Sequence, residues 1–295
     1  MLLRLFSLAT AIYLRLTGAR RRRLDVGEVS LVYYRLGPRD GEPWLLLHGM
    51  GSVAASWRPL LAALRRGCRL LVPELSALGG TQAPGGGLAI AQGATVMARL
   101  LEEEFGGRPA TVVGLSLGGW MAVRLALARP DLVARLVLID GGGYRHQNWD
   151  RVQRQVTLSN LAGVDRIYRA LFVHIPWLLR VSRRSFLQAY TSPGVRNILT
   201  GTAESDTFDD ADLARLTLPT ALIWGERDGI FRLRAARAMA AALPNATLQV
   251  LPGCGHAVHL ECPGRMVAAV QAFRRETSKV ADAGLPQVAG GPAQG

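Results

Sequence analysis

The sequence of this protein predicts an α/β fold, in which helices cover both faces of a mostly parallel sheet. Short apolar runs alternate along the chain with segments whose apolar residues recur at helical spacing, and such alternation is typical of a parallel sheet with flanking helices. A second observation is a sharp strand–turn–helix junction within residues 111–128. A third is the helical stretch 144–216, which interrupts the alternation.

The composition indicates one large domain with an insertion, or two small domains. The chain has 295 residues, of which 49% are hydrophobic, and a net charge of +13. Lys279 is the single lysine, so the positive charge comes almost entirely from arginines scattered along the chain. Because no nucleic-acid-binding motif accompanies them, we expect no nucleic-acid partner. Attraction to an anionic membrane surface fits this charge better.

The cysteines and histidines do not follow the spacing of a metal site, so we predict neither a metal nor a cofactor. Cys68, Cys254 and Cys262 are an odd number of cysteines, so they do not form a framework in which every cysteine is paired. We therefore expect three reduced thiols. The oligomeric state is not predicted.

Residues 1–24 are predicted to form an N-terminal amphipathic helix. Arg20 to Arg23 follow its apolar run, which reverses the order found in a cleavable signal peptide, and the run is too short to span a bilayer. Residues 1–23 could therefore lie peripherally on the inner face of the membrane, or the helix could pack on the domain's own core. We expect a cytoplasmic location, with or without this peripheral association.

The remaining elements follow in order and define the domain limits. Strands are expected at residues 29–36, 44–47, 69–72, 111–113, 135–139, 220–224 and 247–251, and helices at 89–105, after residue 116, at 233–243 and at 264–276. Residues 25–143 and 217–276 then form the α/β core, and residues 144–216 form a helical cap at the carboxyl edge of the sheet, where ligands bind in such folds. Residues 277–295 have the composition of a disordered tail.

The junction around Ser116 indicates a catalytic nucleophile. Ser116 stands between an apolar strand and a helix, with Gly114 and Gly118 two positions on either side. A tight turn of this kind holds a serine in a strained conformation with its hydroxyl clear of the backbone. A serine hydroxyl needs a base, an orienting acid and oxyanion donors to act as a nucleophile.

His256 is the predicted base, because it lies in a glycine-rich turn after a strand. The chain has five candidate histidines: His48, His146, His174, His256 and His259. His259 is the main rival, with a packing or substrate-contact role as its alternative, and His48 is interpreted as structural.

Asp228 is the predicted orienting acid, because it lies in a turn after the strand 220–224. Asp140 competes with it, because it follows the strand 135–139 and ends at the same edge of the sheet. The backbone N–H groups of Leu117 and Met50 are the predicted oxyanion donors. Leu117 opens the helix after Ser116, and Met50 lies in a glycine-flanked turn.

Four motifs now make the sequence resemble the α/β-hydrolase superfamily over about residues 29–273. They are the oxyanion turn 48–51 with Trp57 nearby, the Ser116 turn, the acid turn 225–228, and Gly255-His256 with Glu261 and Pro263. The resemblance implies an eight-stranded sheet with the cap inserted after its sixth strand. The sequence is similar to the branch that contains esterases, lipases and C–C hydrolases, and monoacylglycerol lipases are among the similar enzymes. Residues 76–81 depart from the glycine-histidine pattern that the family often shows after the fourth strand.

Three functions remain open at this stage. The first is a serine esterase or lipase acting on a small apolar ester, with Phe172, Trp177 and Leu178 of the cap expected to bind the substrate. The second is a hydrolase that cleaves a C–C bond in a ring-fission product, a carboxylate substrate that an arginine near the pocket would favour. The third is a non-catalytic binding protein on the same fold.

Overall fold

The computed structural model describes residues 12–202 and 204–282. Its centre is an eight-stranded sheet in the order β1-β2-β4-β3-β5-β6-β7-β8. The strands are β1 (Arg20–Val26), β2 (Val29–Leu36), β3 (Glu42–Leu47), β4 (Cys68–Pro73), β5 (Ala110–Leu115), β6 (Val133–Ile139), β7 (Thr220–Gly225) and β8 (Ala246–Leu251). Strand β2 runs antiparallel to β1 and β4, and the other neighbours are parallel. The predicted α/β fold with a mostly parallel sheet is therefore confirmed.

Helices cover both faces of this sheet. In chain order they are α1 (Arg58–Leu64), α2 (Ile90–Phe105), α3 (Leu117–Ala128), α4 (Trp149–Val156), α5 (Leu161–Leu171), α6 (Trp177–Val181), α7 (Arg183–Tyr190), α8 (Pro193–Gly201), α9 (Asp210–Ala214), α10 (Leu233–Ala242), α11 (Val258–Glu261) and α12 (Pro263–Asp282). Strands β5 and β7 are buried at every residue, because each face of the sheet packs on its own hydrophobic cluster. Two-sided burial is why these strands read as continuous apolar runs.

Helices α4 to α9 are inserted between β6 and β7, as predicted for the cap. The two ends of this insertion meet in a short bridge between Tyr144 and Phe208. Phe208 N–H donates to the Gly143 carbonyl at 3.0 Å, and Arg145 N–H donates to the Phe208 carbonyl at 2.8 Å. The cap is thus closed at its base, immediately beyond the end of β6.

The N-terminal prediction is wrong for the four arginines. Residues 12–16 are helical, but residues 20–26 form strand β1 and pair with β2 through a turn at Gly27. All four arginines are exposed on this edge strand, where charge discourages pairing with another chain. Leu14 is fully buried in the core, which favours the docked helix at this end. Residues 1–11 lie outside the described residues.

The C-terminal helix is longer than predicted. Helix α12 continues to Asp282, whereas the sequence prediction ended the last helix at residue 276. The rest of the predicted tail, residues 283–295, lies outside the described residues. Among the described residues, no helix is both long and apolar enough to cross a membrane.

The cysteine prediction is wrong for two of the three residues. Cys254 and Cys262 form a disulfide, and Cys68 is a free, buried thiol. Burial raises the pKa of Cys68 to about 11, so this thiol is inert near neutral pH. A disulfide is more typical of an oxidising compartment than of the cytoplasm, so the cytoplasmic location stays a prediction.

Candidate active site

Ser116 lies at the turn between β5 and α3 in a strained backbone conformation. Its φ of 53° and ψ of −113° lie outside the regions that non-glycine residues normally occupy. The turn closes only because its neighbours are glycines. A Cβ on Gly114 would lie 2.3 Å from the Gly118 carbonyl oxygen, and one on Gly118 would lie 2.1 Å from the Leu47 carbonyl oxygen.

The structure brings His256 and Asp228 together. His256 Nδ1 lies 2.9 Å from Asp228 Oδ2, and both side chains are buried. The other oxygen, Asp228 Oδ1, accepts the backbone N–H groups of Ile230 at 2.7 Å and Phe231 at 2.9 Å. An acceptor-only carboxylate at Nδ1 makes that nitrogen the donor, which leaves Nε2 as the proton acceptor of a neutral ring.

Asp140, the rival acid, is buried beside this pair but makes different contacts. Its Oδ1 accepts the Gly225 N–H at 2.8 Å, and its Oδ2 has no hydrogen-bond partner within the described residues. Ligand atoms of Asp140, Asp228 and His256 lie within 4.8 Å of one another. Burial and the charge of Asp228 raise the pKa of Asp140 well above its usual value, which favours the protonated carboxyl group.

These three residues are also the group that could hold a metal ion within the described part of the chain. Both oxygens of Asp228 already accept N–H groups from within the protein, from Ile230, Phe231 and the His256 ring. The raised pKa of Asp140 favours its protonated form, which is a poorer metal ligand than a carboxylate. The donor set therefore fits a hydrogen-bonded network better than a metal centre.

Asp140→Asn is expected to change how stability depends on pH. In an unfolded chain, an aspartate has a pKa of about 3.9. The folded-state pKa of Asp140 is raised above this value. The protonated carboxyl therefore stabilises the fold fully below the unfolded-state pKa, and this contribution is lost as the pH rises through the folded-state pKa. The wild type should lose stability relative to Asp140→Asn as the pH rises above about 4.

Chemical denaturation at several pH values measures this difference. The exposed Asp150→Asn variant is the control for removing a surface carboxylate. A difference in stability between the wild type and Asp140→Asn that stays constant with pH would contradict a raised pKa for Asp140.

His259, the rival base, is placed differently from His256. It is buried, and its Nδ1 has no hydrogen-bond partner within the described residues. Burial, followed by the charges of His256 and His48, lowers the pKa of His259 to about 3. His259 is therefore neutral near pH 7. Within the described residues, it makes no hydrogen bond to Asp228. His174 is exposed.

The predicted oxyanion turn lies against Ser116. A Cβ on Gly49 would be 3.5 Å from the Ser116 Cβ, so Met50 follows directly after this close approach. Leu117 is the first residue of α3, where backbone N–H groups have no partner within the helix. The positive end of the helix adds to the field at this point.

Two buried side chains hold this turn, and sequence reasoning found only one of them. His48 Nδ1 lies 2.9 Å from the Gly49 carbonyl, and its Nε2 accepts the Leu75 N–H at 3.2 Å, in keeping with the structural role predicted for His48. Glu74, the residue that sequence reasoning missed, accepts the Ala54 N–H at 3.1 Å. Its position directly after β4, at the carboxyl edge of the sheet, is the feature that could have found it.

The cap holds the turns that carry the acid and the histidine. The acid turn extends to residue 231, because the Ile230 and Phe231 N–H groups bind Asp228. Within this turn, Gly229 N–H donates to the Ala170 carbonyl at 3.0 Å. Within the histidine loop (residues 252–257), Ala257 N–H donates to the Leu171 carbonyl at 2.9 Å. The C-terminal end of α5 therefore fixes both turns relative to each other.

Glu261 and Arg151 reinforce this connection. Glu261 accepts the backbone N–H groups of Gly255 at 2.7 Å, Val173 at 2.9 Å and His174 at 2.7 Å. Its carboxylate thus joins the histidine loop to the cap. Arg151, on α4, donates to the carbonyls of two residues in the acid turn. Sequence reasoning had not placed any cap arginine.

The predicted substrate-binding residues do not lie together. Phe172 is buried, whereas Trp177 and Leu178 are 73% and 54% exposed. Phe172 begins an aromatic row in which each ring contacts the next at centroid distances of 6.4, 4.9 and 5.2 Å. The row consists of Phe172, Tyr168, Phe186 and Tyr190. Tyr190 ends beside Gly51 of the oxyanion turn, so the row crosses the cap to the site.

The arrangement can support nucleophilic chemistry at a carbonyl carbon. A strained serine, a buried histidine–aspartate pair and a glycine-flanked turn converge at the carboxyl edge of the sheet. This combination of nucleophile, base, orienting acid and N–H donors is the one that acyl transfer requires.

Known proteins with similar sequences include two hydrolases with different substrates. The pimeloyl-(acyl-carrier protein) methyl ester esterase of Serratia marcescens is 28% identical over 252 residues, which cover 80% of this chain and 94% of the esterase. The 2-hydroxymuconate semialdehyde hydrolase of Pseudomonas putida is 27% identical over 270 residues, which cover 84% of this chain and 94% of that enzyme.

A solved structure and a family profile agree with these relatives. The carboxylesterase CesB from Bacillus subtilis superposes with a TM-score of 0.75 and 21% identity, over 91% of this chain and 96% of CesB, which shows a shared fold. The profile of the alpha/beta hydrolase family matches residues 44–270, which include the Ser116 turn, the acid turn and the histidine loop. The chain therefore belongs to the alpha/beta hydrolase family.

Proposed function

We propose that this protein is a serine hydrolase that cleaves carboxylic esters of apolar acyl groups through an acyl-enzyme. The observation that carries the proposal is the buried hydrogen bond between His256 and Asp228, at the same sheet edge as the strained Ser116. His48 also approaches a carboxylate, with its Nε2 3.5 Å from Glu74. Both nitrogens of the His48 ring have backbone partners, at Gly49 and Leu75, so this ring is not placed to accept the serine proton.

The proposed reaction has two steps. The Ser116 hydroxyl attacks the ester carbonyl while His256 Nε2 takes its proton, and His256 then gives this proton to the departing alcohol. Water, activated by the same histidine, hydrolyses the acyl-enzyme. Asp228 keeps the Nδ1–H tautomer of His256 and stabilises the imidazolium that forms in each step.

The N–H groups of Met50 and Leu117 are proposed to bind the negative oxygen of each tetrahedral intermediate. One such donor contributes roughly 3 kcal/mol to transition-state stabilisation. His48 and Glu74 support this role indirectly, because their contacts hold the turn that carries Met50. Neither side chain is proposed to touch the substrate.

The aromatic row from Phe172 to Tyr190 supports an apolar acyl group. Its rings lie within the cap and end beside the oxyanion turn, where the acyl chain of an ester bound at Ser116 would begin. The name of the Serratia relative, a methyl ester esterase, is in keeping with ester cleavage. The predicted contacts of Trp177 and Leu178 with substrate stay predictions.

A C–C hydrolase is the second candidate. The Pseudomonas relative is named for a ring-fission product, and the structure has a basic cavity of about 180 Å³ next to the acid turn, with Arg151, Arg232 and Arg234 in its lining. Phe231 lines this cavity and also contacts the His256 ring, at a centroid distance of 5.5 Å. A substrate carboxylate could use these arginines only if Phe231 moved.

One substrate panel tests the two candidates. We expect kcat/KM for p-nitrophenyl esters to rise with acyl length, by about fourfold for each methylene that becomes fully buried, and a ring-fission dienoate to be cleaved poorly. Dienoate cleavage without ester hydrolysis would select the second candidate. A fluorophosphonate probe should label Ser116, and no labelling of the folded protein would instead favour a non-catalytic binding protein.

A further inference from the structure

Helix α6 presents an exposed apolar tip on the cap. Trp177, Leu178 and Val181 are 73%, 54% and 70% exposed. Val181 is four residues from Trp177 and three from Leu178, and residues at these spacings are neighbours on a helix surface. The three side chains therefore form a single patch, here called the α6 tip. Large apolar side chains grouped in this way are uncommon on a protein surface without a partner.

The charge around the α6 tip is mostly positive. Residues 166–203 contain six arginines and neither aspartate nor glutamate. Arg180 and Arg184 are exposed next to the tip, and Arg183 pairs with Asp165. An apolar patch bordered by arginines complements a surface that is apolar beneath a layer of negative charge.

The tip is also connected to the candidate site. Ser182 lies between α6 and α7, and its carbonyl accepts the Phe186 N–H at 3.0 Å. Phe186 stacks on Tyr190, which lies beside Gly51 of the oxyanion turn. The aromatic side chains of α7, the helix that follows the tip, thus reach the oxyanion turn.

We propose that the α6 tip docks on the surface of an anionic phospholipid bilayer. Trp177, Leu178 and Val181 insert among the acyl chains near the headgroups, and Arg180 and Arg184 contact the lipid phosphates. This docking goes beyond ester hydrolysis and does not depend on it, because Ser116, Asp228, His256 and the oxyanion turn take no part in it. It gives Trp177 and Leu178 a different role from the predicted contact with substrate.

Trp177 supplies a direct measurement of docking in the full-length protein. The chain has six tryptophans, of which Trp44, Trp57, Trp120 and Trp224 are buried and Trp149 is partly buried. Adding phosphatidylglycerol vesicles should shift the emission to shorter wavelength. Trp177→Phe should still bind the vesicles but lose the shift, and a shift that persists in Trp177→Phe would overturn the proposal.

Vesicle sedimentation tests the apolar contribution. Val181→Asp should lower the partition coefficient on phosphatidylglycerol vesicles by about tenfold or more, which corresponds to losing one large buried side chain. Leu260→Asp introduces the same charge at a residue that is 48% exposed on α11, outside the tip. Equal losses in the two variants would contradict docking through the tip.

A pair of double variants separates local contacts from overall charge. Arg180→Glu/Arg184→Glu and Arg237→Glu/Arg275→Glu lower the net charge equally, and all four arginines are exposed. We expect the first variant alone to lose most of its binding to anionic vesicles, and the wild type to bind phosphatidylcholine vesicles much more weakly. Equal losses would show attraction by net charge and reject the proposed site.

Two controls make the remaining outcomes decisive. If the wild type is a dimer in the absence of lipid and Val181→Asp is a monomer, the tip is an interface between copies of the chain and the proposal is wrong. Hydrolysis of a soluble short-chain ester should be equal in the wild type and Val181→Asp. An enzyme that binds vesicles but hydrolyses no ester would instead reject the proposed function and leave docking intact.

Discussion

Replacing Ser116 by alanine is expected to abolish ester hydrolysis, with a loss in kcat of roughly 10⁶-fold, as for other serine hydrolases that lose their nucleophile. The change removes a single oxygen from a partly exposed side chain, so the fold should be unaffected. Steady-state hydrolysis of a p-nitrophenyl ester measures the loss. Thermal unfolding of the same preparation verifies that the variant is folded.

Ser278→Ala, on helix α12, is the matched control and should retain wild-type activity. A Ser116→Ala protein that keeps more than a few per cent of the wild-type rate, after mass spectrometry has excluded contaminating wild type, would show that another group is the nucleophile.

Asp228→Asn and Asp140→Asn should differ by several orders of magnitude in their effect on turnover. Asparagine at position 228 can no longer hold His256 in the required tautomer, and loss of the orienting acid costs about 10⁴-fold in kcat. Asparagine at position 140 can still accept the Gly225 N–H through its side-chain oxygen. We therefore expect Asp140→Asn to lose less than about tenfold, because no interaction with the reacting atoms is removed.

The pair of variants is informative in both directions. A larger loss for Asp140→Asn than for Asp228→Asn would assign the orienting role to Asp140. Asp140→Leu leaves the Gly225 N–H buried without an acceptor, which should cost about 1–3 kcal/mol of stability. A loss of activity in Asp140→Leu at an unchanged melting temperature would indicate a more direct role in catalysis.

The turn at Ser116 was predictable because its determinants are close together in the sequence. Gly114 and Gly118 both lie two residues from the serine. A Cβ at either position would lie 2.3 or 2.1 Å from a backbone carbonyl oxygen, so only glycine fits there. The positive φ of Ser116 follows from the same crowding. Alternation of strands and helices is likewise a local pattern, so the fold class followed from it.

The choice between Asp228 and Asp140 needed the three-dimensional structure. Both residues follow neighbouring parallel strands, β7 and β6, and end at the same edge of the sheet. The turn after β7 favoured Asp228 in the sequence, but Asp140 stayed a rival because it ends at the same edge. Only the path of the histidine loop, held by Ala170, Leu171 and Glu261, decides which carboxylate reaches His256.

The sequence alone determined the fold class, the strained serine turn and the membership of Asp228 and His256 in turns at the carboxyl edge, because each depends on residues near one another in the chain. The tertiary structure decided that Arg20 to Arg23 form an edge strand, that Cys254 pairs with Cys262, and that Trp177 is exposed. Strand pairing, disulfide formation and exposure depend on which distant segments pack together, and hydrophobic periodicity within one segment does not specify its partner.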